Sequence, residues 1–138
     1  MEALRLAPTT TTMPAVNQIE VHPRLYATQR PLLEYCAKHG IAVQAYASLG
    51  SGGLLEEEEV GKLAARHGCD AAAVLLQWAV GRGLGVIPRS TDPGRIAANR
   101  RAVEGECTLT EAELEALDGL GAGEGEQLRF CWDPTTVR

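Results

Sequence analysis

Two arginines and a serine lie around the expected start of a helix, in a pattern that suits an anion. Arg89 and Ser90 follow a short apolar run, and Arg95 lies on the first turn of a helix that Asp92 would cap and Pro93 would open. Guanidinium groups and the free backbone N–H groups of a helix start both favour phosphate. The pattern therefore predicts a phosphate site, with the alternative that both arginines are solvated surface charges.

The elements that would position these residues are strands joined by helices. Residues 15–21, 41–46 and 84–87 are predicted as strands because they are short and largely apolar. A helix capped by Thr28, with Gly40 just beyond its end, would join the first two strands. A strand reached through a helix from another strand pairs with it in parallel, so the sequence predicts an α/β fold.

Two side chains on the predicted strands could contact a ligand. Gln18 is a polar amide within the first strand, where it needs a hydrogen-bond partner from neighbouring backbone or from a ligand. Tyr46 closes the second strand and precedes a glycine- and serine-rich loop at residues 47–53. Ligands of α/β proteins bind at the carboxyl ends of the strands. The Tyr46 ring could stack on a flat ligand, or it could simply pack as a half-buried tyrosine.

Charge and composition argue against several kinds of partner. The net charge of −5 over 138 residues argues against a surface that binds nucleic acid. The hydrophobic fraction of 45% and the charged fraction of 22% are typical of a soluble globular protein. No apolar run is long enough to cross a membrane, and no signal peptide is apparent. We therefore expect a cytoplasmic protein that binds neither membranes nor nucleic acid.

Spacing also argues against a metal site. The four cysteines are scattered without a CxxC pair: Cys36, Cys69, Cys107 and Cys131. No histidine lies at ligand spacing from another. We therefore expect reduced thiols, with neither a zinc site nor a disulfide framework. The acidic run at residues 56–59 is predicted to be the solvated start of a helix, because adjacent residues point in different directions around a helix.

Capping residues predict further helices, and the tail carries two aromatic residues. Asp70 would cap one helix, and Thr110 with Glu113 forms a capping box for another. Near the end of the chain, Phe130 and Trp132 would either line a pocket or anchor the terminus.

Several runs of the sequence resemble the aldo-keto reductases. Residues 14–23 resemble the sixth strand of that family, and residues 34–41 with 44–46 resemble its next helix and seventh strand. Residues 74–79 and 86–90 resemble its seventh helix and eighth strand. The resemblance implies a partial (β/α)8 TIM barrel that corresponds to the last three strands and their helices.

The same resemblance divides the chain into three parts. Residues 1–13 would form a remnant helix and linker, residues 14–120 the C-terminal part of the barrel, and residues 121–138 a C-terminal tail. Because a complete barrel takes about 250 residues, three parallel strands cannot close, and the sheet edges would keep unpaired backbone groups. We expect a marginally stable chain that could associate through its open sheet edges.

The family transfers hydride from NADPH to aldehydes and ketones, so the resemblance implies an oxidoreductase that binds NADP(H) and a small carbonyl substrate. Gln18 matches the residue that holds the nicotinamide carboxamide, and Tyr46 matches the residue whose ring stacks on the nicotinamide. Leu49 and Ser51 match the loop that covers the pyrophosphate.

The resemblance places the adenosine end of the cofactor at the two arginines described first. Arg89, where the family usually has lysine, and Ser90 would meet the 2′-phosphate. Arg95 would lie near that phosphate and the adenine, and Asn99 would contact the adenine edge. Ala98 replaces a residue that often contacts adenine, so one hydrogen bond is expected to be missing.

The resemblance assigns no catalytic residue. In the family, the catalytic aspartate, tyrosine, lysine and histidine come from earlier strands that have no counterpart in this sequence. We therefore expect the chain to supply a cofactor clamp and to be inactive alone. The alternative is a non-catalytic truncated isoform, or a module that binds nucleotide or protein.

Overall fold

The computed structural model describes residues 1–123 and 125–134, which form a three-stranded parallel sheet and its helices. The strands, in spatial order, are β1 (Val16–Glu20), β2 (Ala42–Tyr46) and β3 (Gly85–Val86). The α-helices are α1 (Glu2–Leu6), α2 (Pro23–Lys38), α3 (Glu58–His67), α4 (Ala71–Gly81), α5 (Pro93–Arg101) and α6 (Glu111–Asp118). Short 3₁₀ segments cover Gly50–Glu56 and Gly119–Gly121, and a π-helical segment covers Ala102–Glu106.

Both strand pairs are parallel, as predicted. β1 and β2 pair over their whole length, so that Glu20 lies beside Tyr46. β3 is shorter than the predicted strand over residues 84–87, because only Gly85 and Val86 pair with β2. The carboxyl ends of the three strands therefore share one edge of the sheet, where the candidate ligand-binding residues were expected.

Helix α2 begins earlier than predicted. It starts at Pro23 with His22 as its N-cap residue, so the prediction that Thr28 caps it is wrong. Proline suits the first helical position because its missing N–H has no partner there anyway. The Thr28 hydroxyl donates to the Leu25 C=O at 2.9 Å, within the helix.

The predicted caps of three other helices are confirmed. The Asp70 carboxylate accepts the Ala73 N–H of α4 at 2.7 Å. The Asp92 carboxylate caps α5, and Thr110 and Glu113 form the capping box of α6. These signals are local, since each involves residues three positions apart.

Helix α4 lies at the centre of the apolar core. Trp78 is fully buried, and its indole N–H donates to Asp118 Oδ1 at 2.8 Å. The buried Leu75 and Leu76 of this helix belong to the same core cluster as buried side chains from the sheet and from α3 and α6, among them Val43, Ala45, Val60, Leu63, Leu114 and Leu117. No helix in the described part of the chain is long and apolar enough to span a membrane.

The expectation that every cysteine is reduced is wrong for one pair. Cys69 and Cys107 form a disulfide, with their Cα atoms 6.0 Å apart, whereas Cys36 and Cys131 are free. The two bonded residues are separated by 38 positions. Tertiary folding brings the α3–α4 connection against the end of the π-helical segment, and spacing along the chain does not reveal that proximity.

Candidate functional site

Four of the candidate site residues line one cleft at the carboxyl edge of the sheet. The cleft, here called the arginine cleft, has a volume of about 470 Å³. Leu49 and Ser51 come from the loop after β2, and Arg89 and Arg95 come from the turn after β3 and the first turn of α5. The other lining residues are Ala47, Ser48, Gly52, Leu55, Ile87, Pro88 and Cys131.

The two arginines of this cleft carry charge that no described residue neutralises. Arg89 and Arg95 are exposed, and neither has an ion-pair partner within residues 1–123 and 125–134. Every other arginine in those ranges pairs with a carboxylate. Two guanidinium groups in one cleft of a chain with a net charge of −5 suit a dianionic ligand group.

The backbone at the start of α5 is less available than predicted. The Arg95 N–H donates to Asp92 Oδ1 at 2.8 Å, and the Asp92 N–H donates to Ser90 Oγ at 3.1 Å. These donors are therefore satisfied within the turn. The positive potential of the cleft comes mainly from the two guanidinium groups.

The loop after β2 contains two non-glycine residues in the left-handed backbone region. Ala47 has φ of 52° and Ser51 has φ of 53°. Such residues cost about 1–3 kcal/mol each and concentrate at binding sites. Between them, buried Ser48 donates its hydroxyl hydrogen to the Ala45 C=O at 3.2 Å, which fixes the loop to the end of β2. Neither positive φ was apparent from the sequence, because alanine and serine give no local signal for it.

Gln18 and Tyr46 line a second cleft of about 390 Å³, here called the tyrosine cleft. The Gln18 Nε2–H donates to Gln44 Oε1 at 2.5 Å across the β1–β2 pair. Tyr46 is half-buried, and this burial raises the pKa of its phenol above the ordinary value. The ring is therefore neutral near pH 7 and offers a flat face. The remaining lining residues are Ile19, Glu20, Thr28, Gln29, Leu32, Arg129, Trp132 and Pro134.

Glu20, at the end of β1, is a polar residue whose importance the sequence did not reveal. Its side chain is fully buried and accepts hydrogen bonds from the C-terminal tail. The Phe130 N–H lies 2.6 Å from Oε1, the Cys131 N–H 3.2 Å from the same oxygen, and Arg129 Nη1 3.2 Å from Oε2. An acidic residue closing an apolar strand was the available signal, but its partners are more than a hundred residues away.

His22 completes the environment of this carboxylate. Its buried Nε2 lies 3.2 Å from Glu20 Oε1, and its Nδ1 has no hydrogen-bond partner among the described residues. Burial lowers the pKa of the His22 imidazole, so the ring is neutral near pH 7 and donates Nε2–H to the carboxylate.

The order of elements and motifs matches a known family along most of the chain. The sequence model of the Aldo/keto reductase family matches residues 2–122. The chain belongs to this family. An aldo-keto reductase of Mycolicibacterium smegmatis is 46% identical over 123 residues, which cover 89% of this chain and 41% of the relative.

Other aldo/keto reductase relatives carry more specific names. The glycerol 2-dehydrogenase (NADP(+)) of Saccharomyces cerevisiae is 36% identical over 128 residues, covering 90% of this chain and 39% of that protein. The D-galacturonate reductase of Hypocrea jecorina is 36% identical over 135 residues, which cover 94% of this chain and 42% of that protein. The chain thus spans about two fifths of the length of these curated relatives.

Solved structures support the same relationship. A mutant of Gox0644 in complex with NADPH superposes with a TM-score of 0.82 at 35% identity, covering 97% of this chain and 47% of that one. The apoform of Gox0644 gives a TM-score of 0.79 at 34% identity, covering 93% of this chain and 46% of that one. The expected fold class, α/β with a partial TIM barrel, is confirmed.

Within this aldo/keto reductase chain, the structure brings the candidate residues together in part. Leu49, Ser51, Arg89 and Arg95 share the arginine cleft, and Gln18 and Tyr46 share the tyrosine cleft. Half-buried Ser90 and Asn99 line neither of these clefts. No group of three or more His, Cys, Asp or Glu side chains that could hold a metal ion occurs in the described ranges.

Proposed function

We propose that this chain is the NADP(H)-binding part of an aldo-keto reductase, an oxidoreductase that interconverts carbonyl compounds and alcohols. The proposal is carried by Arg89 and Arg95, which share one cleft and have no ion-pair partner among the described residues. The donor set fits a phosphate monoester, because arginine binds phosphate in a bidentate manner and keeps its charge at all relevant pH values. A structural neighbour that binds NADPH supports the choice of cofactor.

Each end of the cofactor would meet a different cleft. Arg89 and Ser90 would meet the 2′-phosphate that distinguishes NADP(H) from NAD(H), with Arg95 near that phosphate and the adenine and Asn99 at the adenine edge. Leu49 and Ser51 would cover the pyrophosphate. Their loop is held at the end of β2 by the hydrogen bond from the Ser48 hydroxyl to the Ala45 C=O.

The nicotinamide end would lie in the tyrosine cleft. Tyr46 would offer its neutral ring face as a stacking surface. The Gln18 amide, whose Nε2–H donates to Gln44 Oε1, would turn to the carboxamide and hydrogen-bond to it. When bound, the nicotinamide supplies the hydride of the reaction.

Proton delivery is a separate task, for which no described residue is assigned. Carbonyl reduction needs a general acid within hydrogen-bond reach of the forming alkoxide. Lys38, His39 and Tyr35 lie at the far end of α2, away from the carboxyl edge of the sheet. At that edge, the His22 Nε2–H faces the buried Glu20 carboxylate, and the Tyr46 ring is assigned to the nicotinamide. We therefore propose that the chain alone does not turn over an aldehyde. NADPH consumption above that of the heat-denatured chain would contradict this.

The proposal is tested by comparing two arginines on the same helix. Arg95→Ala removes from the cleft a guanidinium group with no ion-pair partner among the described residues. Arg100→Ala removes a guanidinium group whose Nε lies 2.9 Å from Glu104 Oε1. A charge-assisted hydrogen bond contributes about 1.5–3 kcal/mol, so Arg95→Ala should weaken NADPH binding roughly ten- to a hundredfold. Arg100→Ala should leave it within about twofold. Equal effects of the two substitutions in a fluorescence titration would refute the assignment.

A further inference from the structure

Helix α5 carries two of the proposed cofactor-binding residues but buries no side chain of its own. Arg95 and Asn99 lie on this helix, none of its residues is buried, and Ile96, its largest apolar side chain, is 53% exposed. Helices in proteins are stabilised mainly by the packing of an apolar face. The position of α5 at the arginine cleft therefore depends on the contacts that fix its ends.

Two contacts fix the C-terminal end of α5 to α4 and to the turn before α4. Directly after α5, in the π-helical segment Ala102–Glu106, Ala102 is buried, and its C=O accepts a hydrogen bond from the buried Gln77 amide of α4. Cys107, the residue after that segment, forms the disulfide with Cys69 in the turn between α3 and α4. One of these contacts is therefore covalent, and it can be broken by reduction.

The disulfide is open to reduction from one side. Cys69 is half-buried and Cys107 is buried, so a small dithiol would attack the Cys69 sulfur with its thiolate. The S–S bond then breaks and Cys107 leaves as a thiol. The second thiol of the reductant displaces Cys69, also as a thiol. The protein gains two electrons and two protons, and the dithiol is oxidised to a cyclic disulfide.

We propose that the Gln77 hydrogen bond and the Cys69–Cys107 disulfide position α5 for the adenosine end of NADP(H), so that reduction of the disulfide weakens NADP(H) binding. This inference rests on the proposed function. Neither cysteine lines the arginine cleft, so the effect reaches the cleft through α5. When the end of α5 is released, Arg95 spends less time at the cleft, and the apparent affinity falls with the fraction of competent chains.

The first measurement is the NADPH affinity of the full chain with the disulfide oxidised and with it reduced by a dithiol. We expect the reduced wild type and Cys69→Ser to bind NADPH at least about fivefold more weakly than the oxidised wild type, the lower end of usual couplings between sites. Cys69→Ser should no longer respond to the dithiol. Cys36→Ser is the matched control, because Cys36 is a free cysteine, and it should behave as the wild type.

The reverse effect is measured on the wild type alone. The chain is equilibrated in buffers with increasing ratios of dithiol to its cyclic disulfide, with and without saturating NADPH. Because coupling between two equilibria is reciprocal, NADPH should raise the ratio needed for half-reduction by the same factor by which reduction weakens NADPH binding. An unchanged ratio would overturn the inference.

A double-mutant cycle separates positioning of α5 from a general loss of stability. Cys69→Ser is combined with Arg95→Ala and, as the matched background, with Arg100→Ala, since Arg100 pairs with Glu104. If the disulfide acts by placing Arg95, Cys69→Ser should weaken NADPH binding less on the Arg95→Ala background than in the wild type. On the Arg100→Ala background its effect should equal that in the wild type. Far-UV circular dichroism checks that each variant is folded.

The outcomes separate the inference from the proposed function. Equal affinities of the oxidised and reduced chains, or an undiminished effect of Cys69→Ser on the Arg95→Ala background, would overturn the inference and leave the cofactor assignment standing. If chains without the disulfide do not fold, Gln77→Leu, which keeps the disulfide, carries the test. It should weaken NADPH binding, and an unchanged affinity would overturn the inference. Absence of NADPH binding by every chain in both redox states would overturn the proposed function and, with it, the inference.

Discussion

Arg89 and Arg95 differ from the other arginines in how their charge is used. Elsewhere in the described residues each guanidinium group meets a carboxylate, as Arg24 meets Glu57 at 2.7 Å. Such pairs neutralise charge even where they are exposed and contribute little to stability, as for Arg30 and Glu34. Because the two cleft arginines lack such partners, they keep a positive potential in an otherwise acidic chain, and this is what a phosphate group requires.

The charge of one buried carboxylate should make stability depend on pH. Glu113 accepts the Thr110 N–H at 2.9 Å and bonds to His67 and Arg66, and these contacts lower the pKa of its carboxyl from 4.5 to about 2. A carboxyl with a lowered folded-state pKa stabilises the fold fully above its unfolded pKa. This contribution is lost as the pH falls from about 4.5 towards 2.

This prediction is checked by urea unfolding at pH 6 and at pH 3. Glu113→Gln should lower the free energy of unfolding at pH 6 and reduce the difference between the two pH values. Glu115→Gln, on an exposed position of the same helix, is the control and should keep the wild-type difference. An unchanged pH dependence in Glu113→Gln would show that other groups dominate acid unfolding.

At the scale of elements, the disulfide connects the α3–α4 turn to the segment that follows α5. Closing a loop with 38 residues of separation should stabilise the fold by about 2–4 kcal/mol, mainly by restricting the unfolded chain. We expect a reductant to lower the free energy of unfolding by this amount in the wild type. Cys131→Ser should respond in the same way, because Cys131 is not in the disulfide.

Cys69→Ser provides the opposite control. It should already show the lower stability and should no longer respond to the reductant. If the wild type and Cys69→Ser unfold at the same urea concentration with and without reductant, the disulfide makes no contribution to the stability of the fold.

What the sequence predicts well at this scale is local. The caps at Asp70, Asp92 and Thr110 depend on hydrogen bonds three residues apart, and the parallel order of the strands follows from the helices between them. The arginine cleft was largely predictable for the same reason, since a strand, a turn and a helix start place Arg89 and Arg95 near each other. The error at the start of α2 arose because Pro23 opens the helix before Thr28.

Contacts between distant segments were not predictable from residue types alone. The Glu20 carboxylate meets amides about 110 positions later in the chain, and Cys69 meets Cys107 only after α4 and α5 have packed. The tail likewise contributes Arg129 and Trp132 to one cleft and Cys131 to the other, and residue types alone do not reveal these positions.

At the scale of the whole molecule, the sheet remains open within the described residues. β1 is at one edge, and Val16 on this strand is 53% exposed. An uncovered strand edge with an apolar side chain is a template for pairing with another chain. We expect the chain to associate in a concentration-dependent way and to unfold over a broad temperature range.

Size-exclusion chromatography over a concentration series checks this expectation. Val16→Lys places a charge on the edge strand and should shift the chain towards the monomer, whereas Lys38→Gln, at the end of α2, should not. A wild-type chain that stays monomeric at every concentration and melts in one sharp transition would contradict the expectation.

The proposed cofactor preference depends on one phosphate group, the 2′-phosphate that NADPH has and NADH lacks. Isothermal titration of the unmodified chain with each nucleotide, in the same buffer, measures its contribution directly. We expect NADPH to bind at least about tenfold more tightly than NADH, since Arg89 and Arg95 would meet a group present in NADPH only. Equal affinity for the two nucleotides, or no binding of either, would contradict it.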